Sequence, residues 1–191
     1  MAIRKVARLG HPILRQKARD LTPEEICSPE IQRLIEDMIE TMQEYGGIGL
    51  AAPQVHEPIR LALIEFSDDS DRYPDMGAQP LTVVANPKTT VLDPAPQAFW
   101  EGCLSVPGLR GLVSRPRKVR IDFLDAQGNP QSVEAEDFLA TVFQHELDHL
   151  DGVLYIDRIV TAPGETRLAF NEEYQKYWVP DEDDDEQELP E

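Results

Sequence analysis

The stretch from Ser28 to Gly47, SPEIQRLIEDMIETMQEYGG, repeats apolar residues at intervals of three and four. This spacing places one apolar stripe along a helix. Ser28 suits the N-cap, Pro29 suits the first helical position, and a glycine at the other end suits a left-handed C-terminal position. The pattern predicts an amphipathic helix whose stripe faces the core, formed by Ile31, Leu34, Ile35, Met38, Ile39 and Met42.

A second helical pattern covers roughly Glu134 to Leu150 and ends before Gly152. Its inward side carries Phe138, Val142, His145, Glu146 and His149, because residues three and four apart share a helix face. The two histidines therefore continue the apolar face, and we expect them to point into the protein.

Between the two helices the pattern is typical of β-strands. Three stretches are rich in β-branched or alternating apolar residues: Arg60 to Phe66, Thr82 to Pro87 and Lys118 to Asp125. The turn sequence QGNP at 127–130 predicts a hairpin, and the polar stretch from Ser67 to Pro80 predicts an exposed loop. Thr166 to Trp178 suggests a short helix. The order of elements predicts an α+β fold with a mostly antiparallel sheet.

The charge and the length of the chain limit the functions and the domain organisation that it can have. The 191 residues carry 36 acidic and 18 basic side chains, a net charge of −18. We predict one domain over residues 1–179 and a disordered acidic tail over 180–191. The acidic balance argues against nucleic-acid binding, and no apolar run approaches the roughly 20 residues of a membrane span. With two cysteines and no apparent leader we expect a reducing compartment and a mature chain that begins near Met1.

The sequence HELDH at 145–149 has the H-E-x-x-H pattern of zinc hydrolases. Two histidines four apart can hold one ion, and Glu146 beside them can take a proton from water. A catalytic site needs a third protein ligand, yet Tyr155 stands where the metzincin histidine would be. Cys103, in WEGCLSVPG, is the best candidate, although a free cysteine is more often a small buried residue. The alternative is a pair of core histidines with a chance glutamate.

The remaining histidines and cysteine offer weaker candidates. His11 precedes a proline in the basic N-terminal segment, and His56 lies beside a turn. We interpret both as surface histidines or as partners in local hydrogen bonds, and Cys27 as structural.

Three ordered stretches together resemble peptide deformylases. They are GIGLAAPQ at 47–54, EGCLS at 101–105 and QHELDHLDG at 144–152, and GHPILR at 10–15 is similar to the start of those proteins. The resemblance implies an antiparallel α+β domain whose central helix carries both histidines. It also implies hydrolysis of the formyl group from the N-formylmethionine of nascent chains in the cytoplasm. The ribosome near its exit tunnel is an expected partner on the same ground.

The same resemblance assigns roles to residues. Cys103, His145 and His149 are the expected metal ligands, and Glu146 is the general base. The amide of Gln54 and the backbone N–H of Leu104 are expected to stabilise the oxyanion. The metal is expected to be iron(II), although zinc, nickel and cobalt also suit these ligands. The expected substrate-binding residues are Gly49, Ile48, Arg110, Phe138 and Val142.

Two rival functions make different predictions. A zinc endopeptidase needs a further ligand after the helix, for which Asp151 and Asp157 are the nearby acids. A structural metal site needs a fourth protein ligand, and it gives Glu146 no purpose.

Overall fold

The computed structural model describes residues 2–66, 78–159, 165 and 167–178. Its helices are α1 (Pro23–Ile26), α2 (Pro29–Glu44), α3 (Asp137–Leu150) and α4 (Asn171–Tyr177). Its strands are β1 (Gly49–Ala51), β2 (Leu61–Phe66), β3 (Gln79–Cys103), β4 (Val106–Leu124), β5 (Pro130–Glu136) and β6 (Leu168–Phe170). Three single turns of 3-10 helix connect them, at Pro12–Arg15, Ala52–Val55 and Tyr155–Arg158. No helix of the described part is long and apolar enough to cross a membrane.

The strands form one antiparallel sheet in the order β1-β2-β3-β4-β5, and β6 pairs with β4. The α+β prediction is confirmed. The predicted hairpin is also confirmed, since β4 and β5 pair from Leu124 with Pro130 back to Lys118 with Glu136. Gly128 adopts a φ of 76° in the turn, a conformation that glycine reaches without steric cost.

Strand β2 lies between the two long helices. Its side chains point alternately to the two faces of the sheet, so they contribute to two separate core clusters. Leu61 and Leu63 pack in the cluster that contains the α2 stripe, whereas Ile64 and Phe66 pack in the cluster of α3. The prediction for α2 is confirmed: Ser28 caps it by accepting a hydrogen bond from the Ile31 N–H, and Pro29 is its first residue. Helix α3 is therefore held against the sheet with its histidine face inward.

Two predicted helices have the wrong boundaries. Residues 134–136 belong to β5, so α3 begins only at Asp137. The backbone turns there within one residue, because Asp137 has a φ of 53°. The predicted C-terminal helix divides into β6 and the shorter α4, because residues 168–170 extend the sheet by pairing with β4.

The polar loop and the tail fall largely outside the described residues. Of the loop predicted from Ser67 to Pro80, residues 67–77 are outside, while Gln79 and Pro80 already belong to β3. The predicted acidic tail, 180–191, also lies outside the described residues. The prediction of a single domain over 1–179 stays a prediction.

Candidate metal centre

Two elements bring a thiol and two imidazoles together. Helix α3 places His145 and His149 on one face, one turn apart, and β3 ends at Cys103 in a tight turn where Cys103 pairs with Val106. One donor atom from each of the three residues lies within 4.8 Å of the other two. The Sγ of Cys103 is 3.3 Å from Nε2 of His149. A thiolate and two imidazole nitrogens at this separation could hold one transition-metal ion.

A buried carboxylate orients the first histidine. Glu101 Oε2 lies 2.7 Å from Nδ1 of His145, which leaves Nε2 of that ring to face the thiol. Glu101 is fixed in turn by Arg115, which donates from Nε to Oε1 at 2.6 Å and from Nη2 to Oε2 at 3.0 Å. Arg115 also donates to Asp148 on α3 at 2.9 Å. Such a carboxylate behind a ligating histidine selects its tautomer and raises its basicity.

The electrostatics of the three groups favour a bound cation. Burial alone lowers the pKa of His145, but its hydrogen bonds with Cys103 and Glu101 outweigh burial and raise that pKa well above the ordinary value. These two contacts therefore favour positive charge at this ring, which a divalent ion supplies as well as a proton. Burial lowers the pKa of His149 well below its ordinary value, so this ring is neutral and free to ligate. The donor set fits a metal ion.

Glu146 lies between the histidines and is buried against a glycine. A Cβ built on Gly49 would overlap the Glu146 carboxylate, so only a glycine leaves this acid its position. Burial raises the pKa of Glu146 to about 7. Among the described residues its Oε2 is buried without a hydrogen-bond partner. A carboxylate in this state is ready to accept a proton at neutral pH, as general bases must be.

The amide of Gln54 points at the thiol. Its Oε1 accepts from the backbone N–H of Ala51 at 2.8 Å, which orients the amide group. Its Nε2 donates to Oγ of Ser105 at 3.1 Å and lies 3.4 Å from Sγ of Cys103. Gln54 is only 2% exposed, so it is a fixed donor beside the centre and not a surface glutamine. Leu104 follows Cys103 directly and lines the same space.

A groove of about 970 Å³ opens from the centre to the surface. Its walls include most of the residues that the sequence motifs indicated, namely Ile48, Gly49, Gln54, Cys103, Leu104, Arg110, His145 and Glu146. Phe138 and Val142 lie in the core cluster behind Ile48, not among the described residues of the wall. Their role as substrate-binding residues stays a prediction.

The position of the missing metzincin ligand is filled by a packing residue. The Tyr155 ring stacks on His145 with the ring centres 5.9 Å apart, and its hydroxyl donates to the Leu109 carbonyl at 3.2 Å. The two acids that an endopeptidase would need are engaged elsewhere: Asp157 pairs with Arg15, and Asp151 accepts from Arg60 at 2.8 Å.

His11 and His56 take the surface positions predicted for them, whereas the structural role predicted for the exposed Cys27 stays a prediction. His11 and His56 are exposed and contact each other edge to face with ring centres 4.8 Å apart, and Nδ1 of His11 accepts from the Ile13 N–H. Cys27 is a free thiol 3.2 Å from the Gln127 carbonyl oxygen.

The residues behind the candidate ligands were not predicted from the sequence. Glu101, Arg115 and Asp148 come from β3, β4 and α3, and no local spacing indicates that they meet. The position of Glu101 two residues before Cys103 was the one available signal, because a strand places residues i and i+2 on the same face.

Comparison with known proteins decides the family. A family model described as polypeptide deformylase matches residues 3–163. The chain belongs to this family. A peptide deformylase of Leptospira biflexa is 45% identical over 159 residues, which cover 83% of this chain and 89% of the relative. A peptide deformylase 2 of Nostoc sp. is 42% identical over 171 residues, which cover 90% and 92%.

Solved structures agree with the family. A class I type b peptide deformylase of Acinetobacter baumannii, bound to Met-Ala-Ser, matches with a TM-score of 0.79 at 34% identity, over 83% of this chain and 99% of the other. A peptide deformylase of Synechococcus elongatus in complex with actinonin matches with a TM-score of 0.72 at 36% identity, over 82% and 78%. The chain is thus a metal-dependent hydrolase of the type that removes formyl groups from newly made polypeptides.

Proposed function

We propose that the chain hydrolyses the formamide of N-formylmethionyl peptides in the groove between β1 and the β3–β4 turn, with Cys103, His145 and His149 as the metal ligands. The observation that carries this proposal is the meeting of five groups from distant parts of the sequence at one groove: the three donor atoms, the Glu146 carboxylate and the Gln54 amide. A structural relative binds Met-Ala-Ser, a tripeptide that begins with an unformylated methionine.

The three ligands would hold a divalent ion and leave a position for water, the arrangement of catalytic sites. When bound, the ion supplies a Lewis acid that polarises a carbonyl and lowers the pKa of a coordinated water towards neutrality. Glu101 keeps the His145 ring in the tautomer that can ligate, since it lies 2.7 Å from Nδ1. Burial raises the pKa of Glu101, but its hydrogen bonds with His145 and Arg115 outweigh burial and hold that pKa below the ordinary value, so the carboxylate stays charged.

Glu146 would accept the proton of the attacking water and pass it to the leaving nitrogen. Its buried position gives it a pKa suited to both steps, because a group that titrates near neutral pH can both accept and donate a proton. The products are formate and a peptide with a free amino group.

Gln54 and Leu104 would stabilise the negative charge that develops on the formyl oxygen. The Gln54 Nε2 is fixed beside Cys103 by the contact of its Oε1 with Ala51. A hydrogen-bond donor that is already oriented does not have to reorganise when the transition state forms. We propose the backbone N–H of Leu104 as the second donor. Ile48 on the groove wall would contact the methionine side chain, with Phe138 and Val142 packed behind it.

We propose iron(II) as the native metal, with zinc, nickel or cobalt as replacements that the same ligands accept. A soft thiolate and two imidazoles do not exclude any of them. Metal analysis of protein purified without oxygen tests this assignment: iron near one equivalent supports it, and zinc in that preparation overturns it. We further propose that the chain acts in the cytoplasm on polypeptides that emerge from the ribosome.

The reaction is tested by incubating iron-loaded protein with a short N-formylmethionyl peptide and measuring formate and internal cleavage together. Formate with an intact peptide chain supports the proposal. Internal cleavage supports the endopeptidase alternative, and neither product with metal bound supports the structural one.

A further inference from the structure

The groove of this acidic protein is lined by cations. Its described wall carries Lys5, Arg8 and Arg110, and the one acid among the described lining residues is Glu146, which is buried at the inner end against Gly49. The chain as a whole carries a net charge of −18. The charge of these lining side chains is therefore opposite in sign to the net charge of the chain.

Lys5 and Arg8 are held at the groove by backbone hydrogen bonds. The Ala7 N–H donates to the Gln54 carbonyl at 2.7 Å, and the Leu9 N–H donates to the Ser105 carbonyl at 2.7 Å. The N-terminal segment is thereby fixed to the two loops that flank the metal centre. Val6 and Ala7 are buried, whereas Lys5 and Arg8 are exposed on either side of them.

Neither of these two cations has an acidic partner in the part of the chain that the structure describes. The neighbouring Arg4 differs, because it pairs with Asp37 and Glu57 at 3.2 and 2.8 Å. Lys5 and Arg8 have no such contact within the described ranges, so their charge is available to a molecule in the groove.

Arg110 is positioned by the C-terminal elements. Its Nε donates to Oδ1 of Asn171 at 3.2 Å, and its guanidinium carbon lies 5.7 Å from the centre of the Tyr174 ring. The pairing of Arg110 with Ala169 in β6 brings these residues to the groove. Arg110 is 9% exposed, and its terminal nitrogens have no hydrogen-bond partner among the described residues. A buried guanidinium with free donors suits a carboxylate.

We propose that Lys5, Arg8 and Arg110 select formylated chains that carry acidic side chains in the first residues after formylmethionine. This selectivity rests on the proposed function, since the formyl group must lie at the metal centre for the following residues to lie along the groove. Like-signed charges in a cleft raise the local concentration of oppositely charged ligands, and they act on substrate capture more than on bond breaking.

The test compares three peptides of equal length with amidated C-termini: formyl-Met-Glu-Ala, formyl-Met-Gln-Ala and formyl-Met-Lys-Ala, with a parallel series that varies the third residue. At low salt we expect kcat/KM for the glutamate peptide to exceed that for the lysine peptide by about 10-fold in at least one series. This factor corresponds to two or three partly exposed ion pairs between the peptide carboxylate and the groove cations. The difference should lie in KM. At about 1 M salt, where the Debye length is about 3 Å, the ratio should approach one.

Charge-reversal variants show which cations produce the preference for the glutamate peptide. Lys5→Glu and Arg8→Glu should each lower the ratio of glutamate to lysine kcat/KM by about 3- to 10-fold. The matched controls are Lys17→Glu and Arg33→Glu, two exposed cations that do not line the groove, and they should leave the ratio unchanged. Lys5→Gln and Arg8→Gln give a second pair of variants with a smaller effect in the same direction.

The outcomes separate this inference from the proposed function. Formate release from the glutamine peptide with equal kcat/KM for the charged peptides at low salt overturns the selectivity and leaves the reaction intact. The selectivity is also overturned if the control variants lower the ratio of glutamate to lysine kcat/KM as much as the groove variants do. The preference would then come from the net charge of the protein and not from the groove cations. No formate from any peptide contradicts the proposed function itself.

Discussion

The carboxylate of Glu146 occupies the space where a side chain of Gly49 would begin. Gly49 starts β1 and pairs with Ile64 of β2, so its backbone cannot move without disturbing the sheet. The glycine of the first motif and the glutamate of the third are therefore parts of one structure: the first is small so that the second can lie at the candidate metal centre.

Gly49→Ala should displace Glu146 and lower kcat by about 100-fold, since a shift near 1 Å in a catalytic group has a cost of that order. The metal content should not change, because the methyl group does not meet a ligand. The matched control is Gly46→Ala. Gly46 has a φ of 62° and open space around its Cβ position, so alanine there should lower the free energy of unfolding by about 1 kcal/mol without lowering kcat. Equal kcat values for the two variants would contradict this relationship.

Glu146→Gln keeps the shape of the side chain but removes its basicity. We expect normal metal content and a loss of kcat of about 100- to 10,000-fold, the contribution typical of a general base. Metal analysis and single-turnover formate release on the same sample provide the measurement. Retained turnover would remove Glu146 from the mechanism, and loss of metal would make it a ligand.

Glu101→Gln should weaken metal binding, because the amide no longer fixes His145 with a full negative charge. A loss of about 10- to 100-fold in affinity is typical of such outer-shell changes. Competition with a chromophoric chelator measures the affinity at a temperature at which the variant is folded. Stability falls as well, since the buried Arg115 loses the charge of Glu101 and keeps only that of Asp148. Glu134→Gln, which alters an exposed acid of β5, serves as the control and should leave the affinity unchanged. Unchanged affinity in the Glu101 variant would mean that this acid acts only on folding.

Tyr155→Phe distinguishes a packing residue from a ligand. The variant loses the hydrogen bond to the Leu109 carbonyl, and we expect the free energy of unfolding to fall by about 1 kcal/mol while metal content and turnover persist. Urea unfolding monitored by circular dichroism measures the change. A loss of metal on this substitution would bring Tyr155 into the coordination sphere.

Local patterns predicted the parts of the fold that depend on short sequence distances. The stripe of α2 and its Ser28 cap follow from a spacing of 3.6 residues, and the inward face of α3 follows from the same rule. The candidate site was predictable because its motifs are short and ordered. Cys103, the cysteine of the second motif, is the residue that meets the two histidines.

Contacts between distant strands were not predictable in this way. Strands β3 and β4 are 25 and 19 residues long, although prolines at 94, 96 and 116 argue against strands of that length. The register shifts near Asp93 and Pro96 accommodate the prolines. The Glu101–Arg115 pair arises only when β3 and β4 are aligned, so no spacing in the sequence indicates it.

In the C-terminal region, too, the local sequence pattern did not predict pairing with a distant strand. Its apolar residues suggested a helix, yet Leu168 and Phe170 are exposed in β6, and packing on the body comes from Tyr174 and Trp178 against Trp100. Edge pairing with β4 outweighed the helical pattern there, because the open edge at residues 109–111 offers backbone partners.

The decisive measurement is formate release from a formylmethionyl tripeptide by anaerobically purified, iron-loaded protein. We predict one formate for each peptide consumed, an intact peptide chain with a free amino terminus, and release that is about 100- to 10,000-fold slower in the Glu146→Gln variant with equal metal content. Bound metal at Cys103, His145 and His149 without formate release would contradict the assignment of this groove as a deformylase site.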